Sequence, residues 1–103
     1  MLITAEEGKK LLEELGDKVT LLDVRHAPEY EAGHIPGAIL IDNDDISGDV
    51  MHPKLPKDLT RPLIIYCRSG VRTKAAKAKL HQLGFKTVFD MGGIISWPYE
   101  IEH

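Results

Sequence analysis

One cysteine in 103 residues excludes an internal disulfide, so the chain is not a cross-linked secreted scaffold. Its apolar runs fall far short of the ~20 residues that a membrane-spanning helix needs. The start, Met1-Leu2-Ile3-Thr4-Ala5-Glu6-Glu7, lacks the basic region and long apolar stretch of an export signal. These absences predict a cytoplasmic protein with no membrane partner. They leave open a mature exported form with an added methionine. Aromatic residues are scarce, at 6%, and the net charge is −3. No aromatic platform accompanies the bases, so nucleic acid is a poor partner. No internal repeat or low-complexity segment is visible.

Acid is missing from one long stretch. Residues 59–89 contain no Asp or Glu but carry Arg61, Arg68, Arg72, Lys74, Lys77, Lys79 and Lys86, a local count of +7. The remainder of the chain counts −10. The field around the basic stretch should favour anions. Lys77 and Lys79 are read as a solvated helix face.

What is present is ordinary for one small α/β domain over residues 1–103. Apolar residues make up 43%, and a chain of this size buries roughly 65% of its unfolded surface. Residues 1–3 read as a short strand. Thr4 and Glu7 have capping-box spacing. A helix follows with Ala5, Leu11, Leu12 and Leu15 on one face, and Gly16 stops it. Residues 19–24 form a buried strand that includes Asp23. Pro28 opens a short helix over 29–32, closed by Gly33, and His34-Ile35-Pro36-Gly37 is a turn. A strand over 38–41 leads into a polar loop over 42–58 with at most a helical turn. Strand 62–66, helix 73–83 with Ala76, Leu80 and Leu83 inward, and strand 87–91 complete the pattern. Gly92-Gly93 and Trp97 follow. Strands alternating with helices predict a mostly parallel sheet. Ligands in such sheets bind beyond the carboxyl ends of the strands.

Cys67 lies at such an end. The sequence runs Leu63-Ile64-Ile65-Tyr66-Cys67, then Arg68-Ser69-Gly70-Val71-Arg72, then Thr73. A loop there turns its N–H groups inward, and the next helix adds the positive end of its dipole. Both favour the thiolate, the reactive form of cysteine. Gly70 permits a positive φ in so short a loop. An isolated intracellular cysteine is ordinarily a small buried apolar residue. Two arginines, a serine and a glycine directly after an apolar strand answer no structural need. They point to a thiolate that attacks or carries something anionic.

Three stretches resemble the single-domain rhodanese family of sulfurtransferases. The first is Leu22-Asp23-Val24-Arg25 with Glu29-Tyr30 and Gly33-His34-Ile35-Pro36-Gly37-Ala38. The second is 67–73 with Ala75, Ala76, Leu80, Gly84 and Phe85. The third is Gly92-Gly93 with Trp97. The resemblance implies a five-stranded, mainly parallel sheet flanked by helices on both faces. It also implies chemistry. Cys67 takes the outer sulfur of thiosulfate or of a persulfide donor and passes it to cyanide, a thiol or a protein. Arg68, Ser69, Gly70, Val71, Arg72 and Thr73 would form the substrate-binding loop. A soft nucleophile suits sulfur transfer, N–H donors suit an anionic persulfide, and no metal or organic cofactor is required. The alternative is a sulfur-relay or interaction module with little turnover alone. In related phosphatases and arsenate reductases the loop is one residue longer, so the shorter loop here favours sulfur.

The other residues read as supports. Asp23 is expected to accept backbone hydrogen bonds near the loop, and Arg25 to pair with Glu29 and fix the Pro28 turn. Arg72 should fold back toward loop carbonyls or an acid such as Asp23, leaving Arg68 to meet an anion. His34 reads as a hydrogen-bonding turn residue. His26, His52, His81 and His103 show no ligand spacing, and Cys67 has no zinc partners. Trp97 packs the C-terminal segment or walls the pocket.

Overall fold

The computed structural model describes Met1–His103. Helix α1 (Ala5–Leu15) begins at the expected capping box: Glu7 N–H donates to Thr4 Oγ1 at 3.0 Å and Thr4 N–H to Glu7 Oε1 at 2.9 Å. Strand β1 (Thr20–Asp23) is followed by α2 (Ala27–Ala32) with Pro28 in its first turn. Then come β2 (Ile39–Leu40), β3 (Leu63–Cys67), α3 (Val71–Gln82) and β4 (Val88–Gly93). Single 3₁₀ turns occupy Gly16–Lys18, Asn43–Asp45 and Ile94–Ser96. No helix is long and apolar enough to cross a membrane.

The sheet is parallel, in the order β2-β1-β3-β4. It has four strands where five were expected. Residues 1–3 do approach β4, but only one bridge forms, Leu2 beside Asp90, with Asp90 N–H to Met1 O and Ile3 N–H to Asp90 O. The capping box at Thr4 turns the chain into α1 before a strand can extend.

Alternation along the strands makes two cores. Leu22, Val24, Leu63, Ile65 and Cys67 face α3, meeting Ala76, Leu80 and Phe85. Leu21, Ile64 and Tyr66 face the other way, where Ile35, Met91 and Trp97 lie and α1 adds Leu11, Leu12 and Leu15. Helices therefore cover both faces, as expected. Lys79 departs from the solvated face predicted for it. Its Nζ donates to Asn43 O at 2.8 Å and pins the 43–45 turn to α3.

Candidate active site

The chain runs from β1 outward to β2, then crosses back to place β3 on the other side of β1. The carboxyl ends of β1 and β3 therefore flank a topological switch point, the usual ligand crevice of an open parallel sheet. Asp23 and Tyr66 are register partners there, and Cys67 is the last residue of β3.

Cys67 is 1% exposed. The chain reverses over Arg68 and Ser69, and Gly70 adopts φ +94 at the cap of α3. That left-handed conformation is open to glycine at little cost. It aims Gly70 N–H at Cys67 Sγ, 3.0 Å away. Thr73, fully buried, donates from Oγ1 to Gly70 O at 2.9 Å and holds the loop on the first turn of α3. Arg68, Ser69 and Val71 are exposed.

Arg72 donates through both Nη atoms to Glu29, at 2.6 and 2.9 Å. The two-pronged bond from Arg72 holds the Glu29 carboxyl down to about 2, burial opposing it and the His26 N–H assisting. The expected pairing of Arg25 with Glu29 is not formed. Arg25 turns back on Asp23, with Nε at 3.0 Å from Oδ1 and Nη2 at 2.7 Å from Oδ2. A carboxylate two residues back, buried at the strand end, wins over an acid on the half-exposed helix. Asp23 also accepts the Arg25 backbone N–H at 2.9 Å, the backbone bond expected of it. Tyr66 donates to Asp23 Oδ2 at 2.8 Å while accepting from Ile35 N–H at 3.1 Å. Burial, then the Asp23 charge, pushes the Tyr66 hydroxyl well above its usual range. Arg25 closes the network by donating to Gly33 O at 2.6 Å.

With Arg25 and Arg72 each bound to a carboxylate, Arg68 is left outside every ion pair of the molecule. His34 is the turn residue expected, its Nδ1 2.9 Å from Tyr30 O and its ring stacked on Tyr30. One cluster escaped the sequence reading. His26, after β1, and Asp42, after β2, meet at 2.6 Å, with Asp44 close by. The bond to Asp42 raises the His26 imidazole above its ordinary value. Only the pairing of β1 with β2 brings these distant positions together. Trp97 packs the C-terminal segment, donating from Nε1 to Glu100 O at 3.0 Å. It lines a cavity of about 330 Å³ between α1 and the 35–37 turn, not the surroundings of Cys67.

A family model described as rhodanese-like domain matches residues 4–98. This chain belongs to the rhodanese-like domain family. The chain is 36% identical over 101 residues to the probable adenylyltransferase/sulfurtransferase MoeZ of Mycobacterium tuberculosis, covering 97% of this chain but only 25% of that protein. It is 37% identical over 87 residues to the thiosulfate sulfurtransferase GlpE of Pseudoalteromonas translucida, covering 82% of this chain and 79% of that one. Among solved structures, the Alr3790 protein from Anabaena sp. superposes with a TM-score of 0.83 at 29% identity, over 97% of this chain and 81% of the other. The rhodanese-like α/β fold follows from this likeness. The chain spans about a quarter of MoeZ and most of GlpE.

Proposed function

We propose that residues 1–103 act as one sulfurtransferase domain with Cys67 as its nucleophile. The thiolate forms a bond to the outer sulfur of thiosulfate. The thiosulfate S–S bond breaks, its electron pair leaves with sulfite, and Cys67 keeps the outer sulfur as an anionic persulfide. An acceptor's electron pair then bonds to that sulfur and returns the thiolate. A persulfide donor would serve in place of thiosulfate, and cyanide, a thiol or a protein would serve as acceptor. The observation that carries the reading is the Gly70 N–H aimed at Sγ from 3.0 Å, at the switch point of the sheet. A fixed donor there stabilises negative sulfur without having to reorganise. Arg68, free of any acid, would meet the incoming anion. Ser69 and Val71 complete the rim, and Arg72 and Thr73 hold the loop. Asp23 and Arg25 support it from beneath. GlpE's description as a thiosulfate sulfurtransferase supports thiosulfate as donor.

Intact mass after incubation with thiosulfate tests the reading. A gain of one sulfur atom, absent from Cys67→Ser, is expected. An unchanged mass in the parent protein, with phosphate-ester hydrolysis in its place, would overturn it.

A second reading favours a protein acceptor, as in a sulfur relay. Beside the loop, Val71 is 73% and Ile95 66% exposed. Exposed apolar side chains beside a cation bound to no acid suit a macromolecular surface. Fast sulfur loading with slow turnover on cyanide and small thiols would favour the relay.

A further inference from the structure

The pairing of β3 with β4 slips beside Cys67. Ile65 lies opposite Asp90, yet Cys67 lies opposite Gly93, so β4 carries one extra residue between the two pairs. The bulge is built from specific parts. Asp90 is buried, and its Oδ1 accepts Gly92 N–H at 2.9 Å. Gly92 takes φ +77. The bulge lifts Gly93 beneath the loop that follows Cys67.

Gly93 is the unusual position. Its φ of −114 and ψ of 141 are open to any residue. Backbone freedom therefore does not call for glycine there. Space does. A Cβ on Gly93 would lie 2.2 Å from Arg68 O, 2.7 Å from Ser69 Cα and 2.8 Å from the Arg68 carbonyl carbon. All three are backbone atoms, so no side chain can swing aside. The contact continues on both sides. Gly92 Cα is 3.5 Å from the Cβ position of Gly70, and Ile95 N–H donates to Arg68 O at 3.3 Å. Residues 92–95 form a backbone seat under 68–70, the segment that aims Gly70 N–H at the sulfur.

We propose that Gly93 is a positioning residue for Cys67. Its missing side chain sets the height of the Arg68–Ser69 backbone and hence the meeting of Gly70 N–H with Sγ. As a role in sulfur transfer, this rests on Cys67 being the nucleophile. As a role in thiol activation, it stands by itself. A Cβ at 93 must push the Arg68–Ser69 backbone off its seat, and the shift, carried to the next residue, lengthens and misaligns the Gly70 N–H contact with Sγ.

The test is the rate at which the folded protein reacts with iodoacetamide, an uncharged reagent, measured against pH. Cys67 is the only thiol, so the rate belongs to it. In Gly93→Ala the rate at neutral pH should fall several-fold, because the Gly70 N–H no longer meets the sulfur. Gly16→Ala is the control. Gly16 has φ +54 and nothing within 4 Å of its Cβ position, so alanine there should lower the melting temperature and leave the alkylation profile alone. A Gly93→Ala protein that is folded and alkylates within twofold of the parent would overturn the proposal. Should Gly93→Ala not fold, Ile95→Pro removes the N–H donor to Arg68 O from the same seat. A parental rate in that variant would overturn the proposal equally. Failure of the parent to take up sulfur from thiosulfate would sink the sulfur-transfer reading while leaving these alkylation rates to decide the role of Gly93.

Discussion

At the scale of the residue, Arg68 and Arg72 carry the same charge but stand in different company. Arg72 spends its fork on Glu29 and ties the start of α3 to α2. Arg68 is exposed and bound to no acid. Arg68→Ala should therefore raise the KM for thiosulfate several-fold and leave the melting temperature nearly unchanged. Arg72→Ala should lower stability by about 1 kcal/mol, since the pair is bidentate but partly solvated, and should lower kcat with it. The second effect carries a pH signature. Glu29 titrates near 2 in the fold against 4.5 as a free group. A depressed acid contributes stability that is complete above its unfolded value and is lost as pH falls through its folded value. The gap in melting temperature between parent and Arg72→Ala should thus be full above pH 4.5 and close toward pH 2. A gap that is constant over that range would show that Arg72 acts through packing alone.

At the scale of the element, β3 does two jobs with consecutive residues. Period-2 alternation sends Tyr66 into one core and Cys67 into the other. Tyr66 then joins β1 to the turn at Ile35 through its hydroxyl. Tyr66→Phe keeps the ring and its volume but strands Ile35 N–H without an acceptor and takes a donor from buried Asp23. The expected cost is ~1–3 kcal/mol, the penalty for an unsatisfied buried group. Urea titration should show a lower midpoint at unchanged slope. An unchanged midpoint would mean that the hydroxyl adds nothing beyond the ring. This scale also separates what the sequence reveals from what it hides. The Thr4–Glu7 capping box and the helix faces were legible because their partners lie within one turn. Cys67 and its loop were legible because a strand, a glycine and a helix start occur in series. The partner of Arg25 was not, because choosing between Asp23 and Glu29 depends on which acid the sheet buries. Asp42 with His26, and Gly93 under Arg68, depend on strands being side by side, which no local spacing encodes. The fifth strand failed for a local reason. Residues 1–3 have strand composition, but Thr4 ends the segment at a single bridge.

At the scale of the whole molecule, acid and base are segregated along the chain, and the fold gathers the base-only stretch into β3, the Cys67 loop and α3. Local pairing cancels part of this charge. Arg25 answers Asp23 and Arg72 answers Glu29. What survives at the loop is Arg68, with exposed Lys74 on the first turn of α3. A field of this kind acts on encounter with an anion more than on the bonds made afterward. Thiosulfate, a dianion, should therefore load Cys67 more slowly as salt rises, because screening shortens the reach of the field to ~10 Å at 0.1 M and ~3 Å at 1 M. Iodoacetamide has no charge to steer, so its rate with the same thiol should hardly respond. The difference between the two slopes isolates the electrostatic part of the reaction. It should shrink in Arg68→Ala and persist in Lys86→Ala, a change of equal charge beyond the far end of α3. Equal slopes for both reagents in the parent protein would show that the net charge of −3 cancels the steering by the basic stretch, and that Arg68 acts only on contact; a thiosulfate rate that rises with salt would show that the net charge outweighs it.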